Sequence, residues 1–180
     1  MFYVVVIMKK HLSDLKFIII AILIALFIKT FLFNTVKVQQ TSMYPTLKPN
    51  DIILSSSLYR FKGDFKRGDI IVFKSVNENK LLIKRIIGLP GEVVEFYDGT
   101  IYIDGKELDE KYFDEKPYTL SNTNKFVLKD NELFVLGDNR TPNGSMDSRA
   151  FGPINIKSIR SHPFYRLFPL NSEKFINGSW

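Results

Sequence analysis

The 180-residue chain contains no cysteine, which removes disulfides, cysteine–metal sites and cysteine nucleophiles together. Histidine is almost as scarce, with only His11 and His162, so a histidine-rich metal centre has nothing to build on. Lys and Arg number 25 against 19 Asp and Glu, a net charge of +6. That excess suits an anionic membrane surface, but no run of five basic residues occurs, and nucleic acid is not an expected partner. Downstream of residue 33 there is no amphipathic helical period of any length, which argues against a helical domain.

What the chain does contain begins with an apolar segment. Phe17 to Ile28 is unbroken, Lys29 and Thr30 interrupt it, and Phe31 to Phe33 resume it. Together these are 17 residues, the short end of what crosses a hydrocarbon core of about 30 Å. Lys9, Lys10, His11 and Lys16 precede it against one acid, Asp14. The excess of positive charge places residues 1–16 in the cytoplasm, residues 17–33 across the bilayer as an uncleaved signal anchor, and residues 34–180 outside. A cleaved signal peptide is the competing reading, but no small-x-small site follows the apolar stretch cleanly.

Beyond Asn34 the pattern becomes short apolar runs and period-two alternation. Strands are expected at Val36–Val38, Asp69–Phe73, Leu81–Ile83, Val93–Phe96, Ile101–Ile103 and Leu133–Leu136, with turn signals such as Pro90-Gly91, Asp98-Gly99 and Asp104-Gly105 between them. The expected fold is mostly β, a coiled or barrel-like domain behind one N-terminal transmembrane helix. A polar stretch at about 104–131 reads as an excursion from its core.

Three clusters carry candidate chemistry. In Thr41-Ser42-Met43-Tyr44-Pro45-Thr46-Leu47, Pro45 biases Tyr44 away from the α region, so the backbone after Ser42 is expected to be extended and stiff. A serine needs a base to act as a nucleophile. His11 falls on the cytoplasmic side and His162 stands alone near the C-terminus, which leaves Lys or a carboxylate. Lys84 closes the apolar run Leu81-Leu82-Ile83 and precedes Arg85-Ile86-Ile87-Gly88-Leu89-Pro90-Gly91-Glu92. Burial disfavours the charged form of an ammonium, and bringing a lysine from about 10.4 down to about 8 requires roughly 3 kcal/mol. Strand alternation offers the opposite reading, with Lys84 turned to solvent and Arg85 in a salt bridge. The third cluster, Gly137-Asp138-Asn139-Arg140 and Ser145-Met146-Asp147-Ser148-Arg149, alternates acid and base as if to brace a loop with Asp–Arg pairs.

These clusters, in this order behind one anchor, resemble the bacterial type I signal peptidase (leader peptidase) family. The resemblance runs from about Lys16 to Pro169 and rests on Ser42–Leu47, Arg67-Gly68-Asp69-Ile70-Ile71-Val72-Phe73, Lys84–Glu92 and Gly137–Arg149. It implies a serine endopeptidase with a Ser–Lys dyad: Ser42 the nucleophile, Lys84 the general base, and Ser145 orienting the lysine amine. It implies that the Ser42 N–H donates to the oxyanion. Where some family members carry a second donor as serine, this chain has Gln40, whose amide or a neighbouring backbone group could serve. Asp138, Arg140, Asp147 and Arg149 match residues that hold the loop against the catalytic strand. Cleavage is implied after small residues in Ala-x-Ala type sites, with Val36, Val38, Met43, Leu47 and Ile83 lining the substrate pockets. The implied partners are preprotein signal peptides, the lipid bilayer and the secretion translocon, at the cytoplasmic (inner) membrane, with no cofactor and no metal. A specialised Ser–Lys maturation protease, or an inactive membrane-anchored binding module on the same fold, are the alternative readings.

Overall fold

The computed structural model describes residues 15–26, 32–75 and 79–176. Residues 15–26 are helical, with Leu15, Phe17, Ile18 and Leu23 among their exposed apolar side chains. Among the described residues no helix is long and apolar enough to cross a membrane. Residues 1–14 and 27–31, on which much of the expected cytoplasmic segment and anchor falls, lie outside the described residues.

The rest is antiparallel β. The strands are β1 (Phe33–Lys37), β2 (Ile52–Ser56), β3 (Ile70–Lys74), β4 (Leu81–Gly88), β5 (Val93–Tyr97), β6 (Thr100–Ile103), β7 (Lys106–Glu107), β8 (Lys125–Val127), β9 (Glu132–Leu136), β10 (Ile154–Asn155) and β11 (Ile159–Phe168). Among the described residues, two single-turn α-helices, α1 (Tyr59–Lys62) and α2 (Ser148–Phe151), and a 3-10 turn at Ile156–Ser158 interrupt them. Seven strands form one sheet in the order β1-β2-β11-β3-β4-β9-β10, and four form a second, β7-β6-β5-β8.

The central position of β4 decides the character of the fold. It pairs with β3 through Ile71↔Lys84 and Ile70↔Arg85, and with β9 through Arg85↔Leu136 and Ile86↔Val135. Successive side chains leave a strand on opposite faces. Here both faces are covered, so Lys84 and Arg85 are 1% and 0% exposed. The solvent-facing alternative for Lys84 fails for that reason, whereas Arg85 does enter a salt bridge, with Asp138.

One apolar cluster, including Ile71, Phe73, Leu82, Ile86, Leu133 and Val135, fills the large sheet's core. A second, with Ile87, Phe134 and Leu136 against Val94, Phe96, Ile101, Ile103 and Leu128, joins the two sheets. The second sheet is therefore packed on the first by apolar burial, although the sequence between its strands is polar. Gly88 lies at this junction. A Cβ there would meet Val94 Cγ2 at 2.6 Å and Leu128 Cδ1 at 2.7 Å, so only glycine lets the two sheets close. A third cluster of Val38, Met43, Leu47, Ile53, Ile70 and Ile176 packs beneath the Ser42 turn.

Candidate active site

Ser42 sits in the turn between β1 and β2. The backbone after it is not extended. Tyr44 N–H donates to Thr41 O at 3.0 Å, Leu47 N–H donates to Met43 O at 2.8 Å, and the Tyr44–Pro45 peptide is cis. Local hydrogen bonds and the burial of Met43 and Leu47 hold the turn. The extended stretch expected after Ser42 is therefore a folded turn instead.

Lys84 reaches this turn from β4. Its Nζ lies 2.8 Å from Ser42 Oγ and 3.1 Å from the Ile83 carbonyl oxygen. Ser42 is 9% exposed and Lys84 1%, so the contact is shielded from water. A hydroxyl and an amine at this distance can exchange a proton, the geometry that a nucleophile and its base require.

The loop after β9 closes the site from the other side. Asn139 N–H donates to the Ser42 carbonyl at 3.1 Å, and Asn139 Nδ2 to the Thr41 carbonyl at 3.3 Å. Gly137 packs against the same carbonyl: a Cβ there would stand 2.3 Å from Ser42 O and 2.2 Å from Ser145 Oγ. Sequence reasoning placed Gly137 and Asn139 in the right cluster without giving either a role. The signal for Gly137 was a glycine where a buried strand ends at a charged loop.

The acid–base residues divide their work. Arg85 grips Asp138 through Nε–Oδ1 at 2.8 Å and Nη2–Oδ2 at 2.6 Å, with Nη1 donating to Gly68 O at 2.8 Å. This pair ties the loop to the strand that carries Lys84. Asp147 accepts from Arg149 Nε and Nη2, each at 2.9 Å, and from Gly137 N–H at 3.0 Å. Burial alone would raise the Asp147 pKa, but the Arg149 hydrogen bonds and charge, with the Gly137 N–H, outweigh it and hold the carboxyl below its usual range. Arg140 does not pair within its own loop. It meets Glu110, with Nη2–Oε1 at 2.5 Å, and its Nε donates to Gly137 O at 2.7 Å. Burial would lower its pKa, but the Glu110 charge raises it, so Arg140 stays cationic.

Two expectations need correcting. Ser145 Oγ is buried and has no hydrogen bond to the Lys84 amine, so it does not orient that amine here. It sits against Gly137 instead, where an added Cβ would stand 2.2 Å from it, on the side of Asp147. Leu47 does not line a substrate pocket: it is wholly buried under the turn. The other four named positions, Val36, Val38, Met43 and Ile83, do line a cavity of about 360 Å³ that opens on Ser42, together with Gln40, Val72 and Leu81. Gln40 is exposed at its rim. A larger cavity of about 600 Å³ behind Pro45 and Arg166 touches neither Ser42 nor Lys84. His162 lies away from this cleft, stacked on Tyr59 and 3.8 Å from Asp69.

Residues 12–168 match the signal peptidase, peptidase S26, family. The chain is 38% identical to signal peptidase I of Bacillus licheniformis over 165 residues, 87% of this chain and 88% of that protein. It is 35% identical to signal peptidase I S of Bacillus subtilis over 179 residues, 94% of this chain and 95% of the relative. A crystal structure of a signal peptidase I from Enterococcus faecalis is 35% identical, with a TM-score of 0.46 over 55% of this chain and 96% of its own.

Proposed function

The chain belongs to the signal peptidase family, peptidase S26, and has the type I activity, a serine endopeptidase acting on the signal peptides of preproteins; from that premise we propose that Ser42 and Lys84 carry out the cut. The observation that carries this reading is the shielded 2.8 Å contact between Lys84 Nζ and Ser42 Oγ. Lys84, neutral, takes the Ser42 proton as Oγ attacks the scissile carbonyl. The proton passes to the leaving amine, which departs as the mature N-terminus. Water then adds to the acyl-enzyme with Lys84 again as base, releasing the signal peptide's new carboxylate. The Ser42 N–H supplies one oxyanion donor, and Gln40 or a neighbouring backbone N–H the second.

The cavity beside Ser42 receives the residues before the cut. Val36, Val38, Met43 and Ile83 make it apolar, which suits the small apolar side chains of an Ala-x-Ala site at the positions one and three before the cut. β1 is an edge of the large sheet, so an extended substrate can add main-chain hydrogen bonds there whatever its sequence. Residues 17–33 anchor the chain in the cytoplasmic membrane as a single span, with residues 1–16 inside and the β domain outside, near the translocon. The exposed apolar side chains along helical residues 15–26 support this placement. The test is incubation of the detergent-solubilised chain with a preprotein bearing an Ala-x-Ala site, read by mass spectrometry. The expected product ends at that site in the wild type and is absent with Ser42→Ala. Equal product from both would remove Ser42 from the mechanism.

A further inference from the structure

The connection between β7 and β8 makes contacts that its polar sequence does not announce. From residues 110–120 it touches all three arginines that brace the active-site loop. Glu110, 7% exposed, takes Arg140 in two bonds, Nη1–Oε2 at 3.2 Å and Nη2–Oε1 at 2.5 Å. Thr119 Oγ1 accepts from Arg140 Nη1 at 2.9 Å. The Tyr112 ring lies under Arg85, with Cζ 3.8 Å from its centroid, and the Tyr112 hydroxyl donates to Glu110. Leu120 O accepts from Arg149 Nη1 at 3.0 Å.

Two of these contacts lie one step from the reacting groups. Arg140 donates to Gly137 O, and Gly137 packs on the Ser42 carbonyl, which Asn139 N–H also holds. Arg85 follows Lys84 on β4 and grips Asp138. A buried ion pair is a poor source of net stability, because desolvation offsets the attraction, but it fixes geometry. The two side chains of the Glu110–Arg140 pair are each only 2% exposed, so geometry is what the pair contributes.

We propose that Glu110 and Tyr112 are positioning residues for peptide cleavage: from the β7–β8 connection they lock Arg140 and Arg85, and so set the Ser42 turn and the Lys84 strand in register. This rests on Ser42 and Lys84 being the reacting pair. A shift of about 1 Å at reacting groups can cost on the order of 100-fold in rate. Substrate lies against β1 and the cleft, which Glu110 does not line, so binding should change little.

The test uses the full chain in detergent, with kcat and KM measured on one Ala-x-Ala substrate at a temperature where melting curves show each variant folded. Glu110→Gln and Tyr112→Ala should each lower kcat about 10- to 100-fold while KM stays within about 3-fold. Glu115→Gln, on the exposed part of the same connection, should leave both unchanged. Should either main variant not fold, Tyr112→Phe removes only the hydroxyl that holds Glu110 and should still lower kcat several-fold. Folded variants with wild-type kcat, or with raised KM at unchanged kcat, overturn the proposal. Wild-type cleavage in the same assay, abolished by Ser42→Ala, separates that outcome from a failure of the Ser42–Lys84 assignment.

Discussion

Gly137 and Ser42, 95 positions apart in sequence, touch so closely that a methyl on Gly137 would stand 2.3 Å from the Ser42 carbonyl oxygen. That oxygen belongs to backbone and is already held by Asn139 N–H, so it cannot step aside without moving Ser42. Gly137→Ala should therefore lose at least about 100-fold in kcat while the protein remains folded. Activity and a melting curve on the same preparation check this. An Ala variant at wild-type rate would show that the Ser42 turn tolerates displacement.

Asp147 makes the active-site loop sensitive to acid. Its folded-state pKa is held down by Arg149 and the Gly137 N–H against the opposing effect of burial. A depressed carboxylate contributes stability that is fully present above the unfolded value of about 3.9 and is lost as pH falls through the folded one. Asp147→Asn should destabilise the protein at pH 7 by about 1–3 kcal/mol, because it leaves Arg149 and the Gly137 N–H poorly matched. The difference from wild type should shrink as pH drops below the ordinary carboxylate range. Melting curves from pH 7 down to pH 3 test the sign, and a gap that widens in acid would contradict it.

Much of the fold was legible because short apolar runs bounded by turn residues have few other uses. Val93–Phe96, Ile101–Ile103 and Leu133–Leu136 fall within β5, β6 and β9. The missed strands broke the pattern for physical reasons. β2 ends in Ser55-Ser56, which dilutes its apolar signal. β11 carries Pro163, which ordinarily argues against an interior strand. There the register with β2 shifts between Pro163 and Tyr165, and the irregularity accommodates the missing N–H. Charge ordinarily ends an apolar run, so the sequence pattern stops the strand at Ile83, whereas β4 runs on through Lys84 and Arg85 to Gly88. Of the site, the residues whose chemistry is unusual for their setting could be read. Glu110 and Tyr112 could not, since a polar stretch gives no local sign that part of it turns inward.

The proposed membrane orientation has a direct test that the absence of cysteine makes clean. A single cysteine placed at Tyr97, which is 74% exposed, should react with a membrane-impermeant maleimide added to intact spheroplasts. One at Lys10 should react only after the membrane is permeabilised, by the excess of positive charge before Phe17. The reverse labelling would place the β domain in the cytoplasm, away from translocated substrates.

The base is where substitution can discriminate most sharply, because lysine and arginine share a charge and a long stem but not an accessible neutral form. Lys84 is buried within 2.8 Å of Ser42 Oγ. If it served only as a cation that holds the turn, Lys84→Arg would keep substantial activity. Guanidinium is effectively never deprotonated in proteins, so it cannot accept the Ser42 proton. Lys84→Arg should then be nearly as inactive as Lys84→Ala, each losing at least about 1000-fold in kcat, within the range expected for losing a general base. Arginine is also the bulkier side chain, so Lys84→Met, which is neutral and matches the length of the lysine stem, controls for packing. All three variants inactive but folded is the expected result. A Lys84→Arg enzyme near the wild-type rate would dismiss Lys84 as the base and turn attention to a carboxylate or to His162, although His162 stacks on Tyr59 away from the cleft.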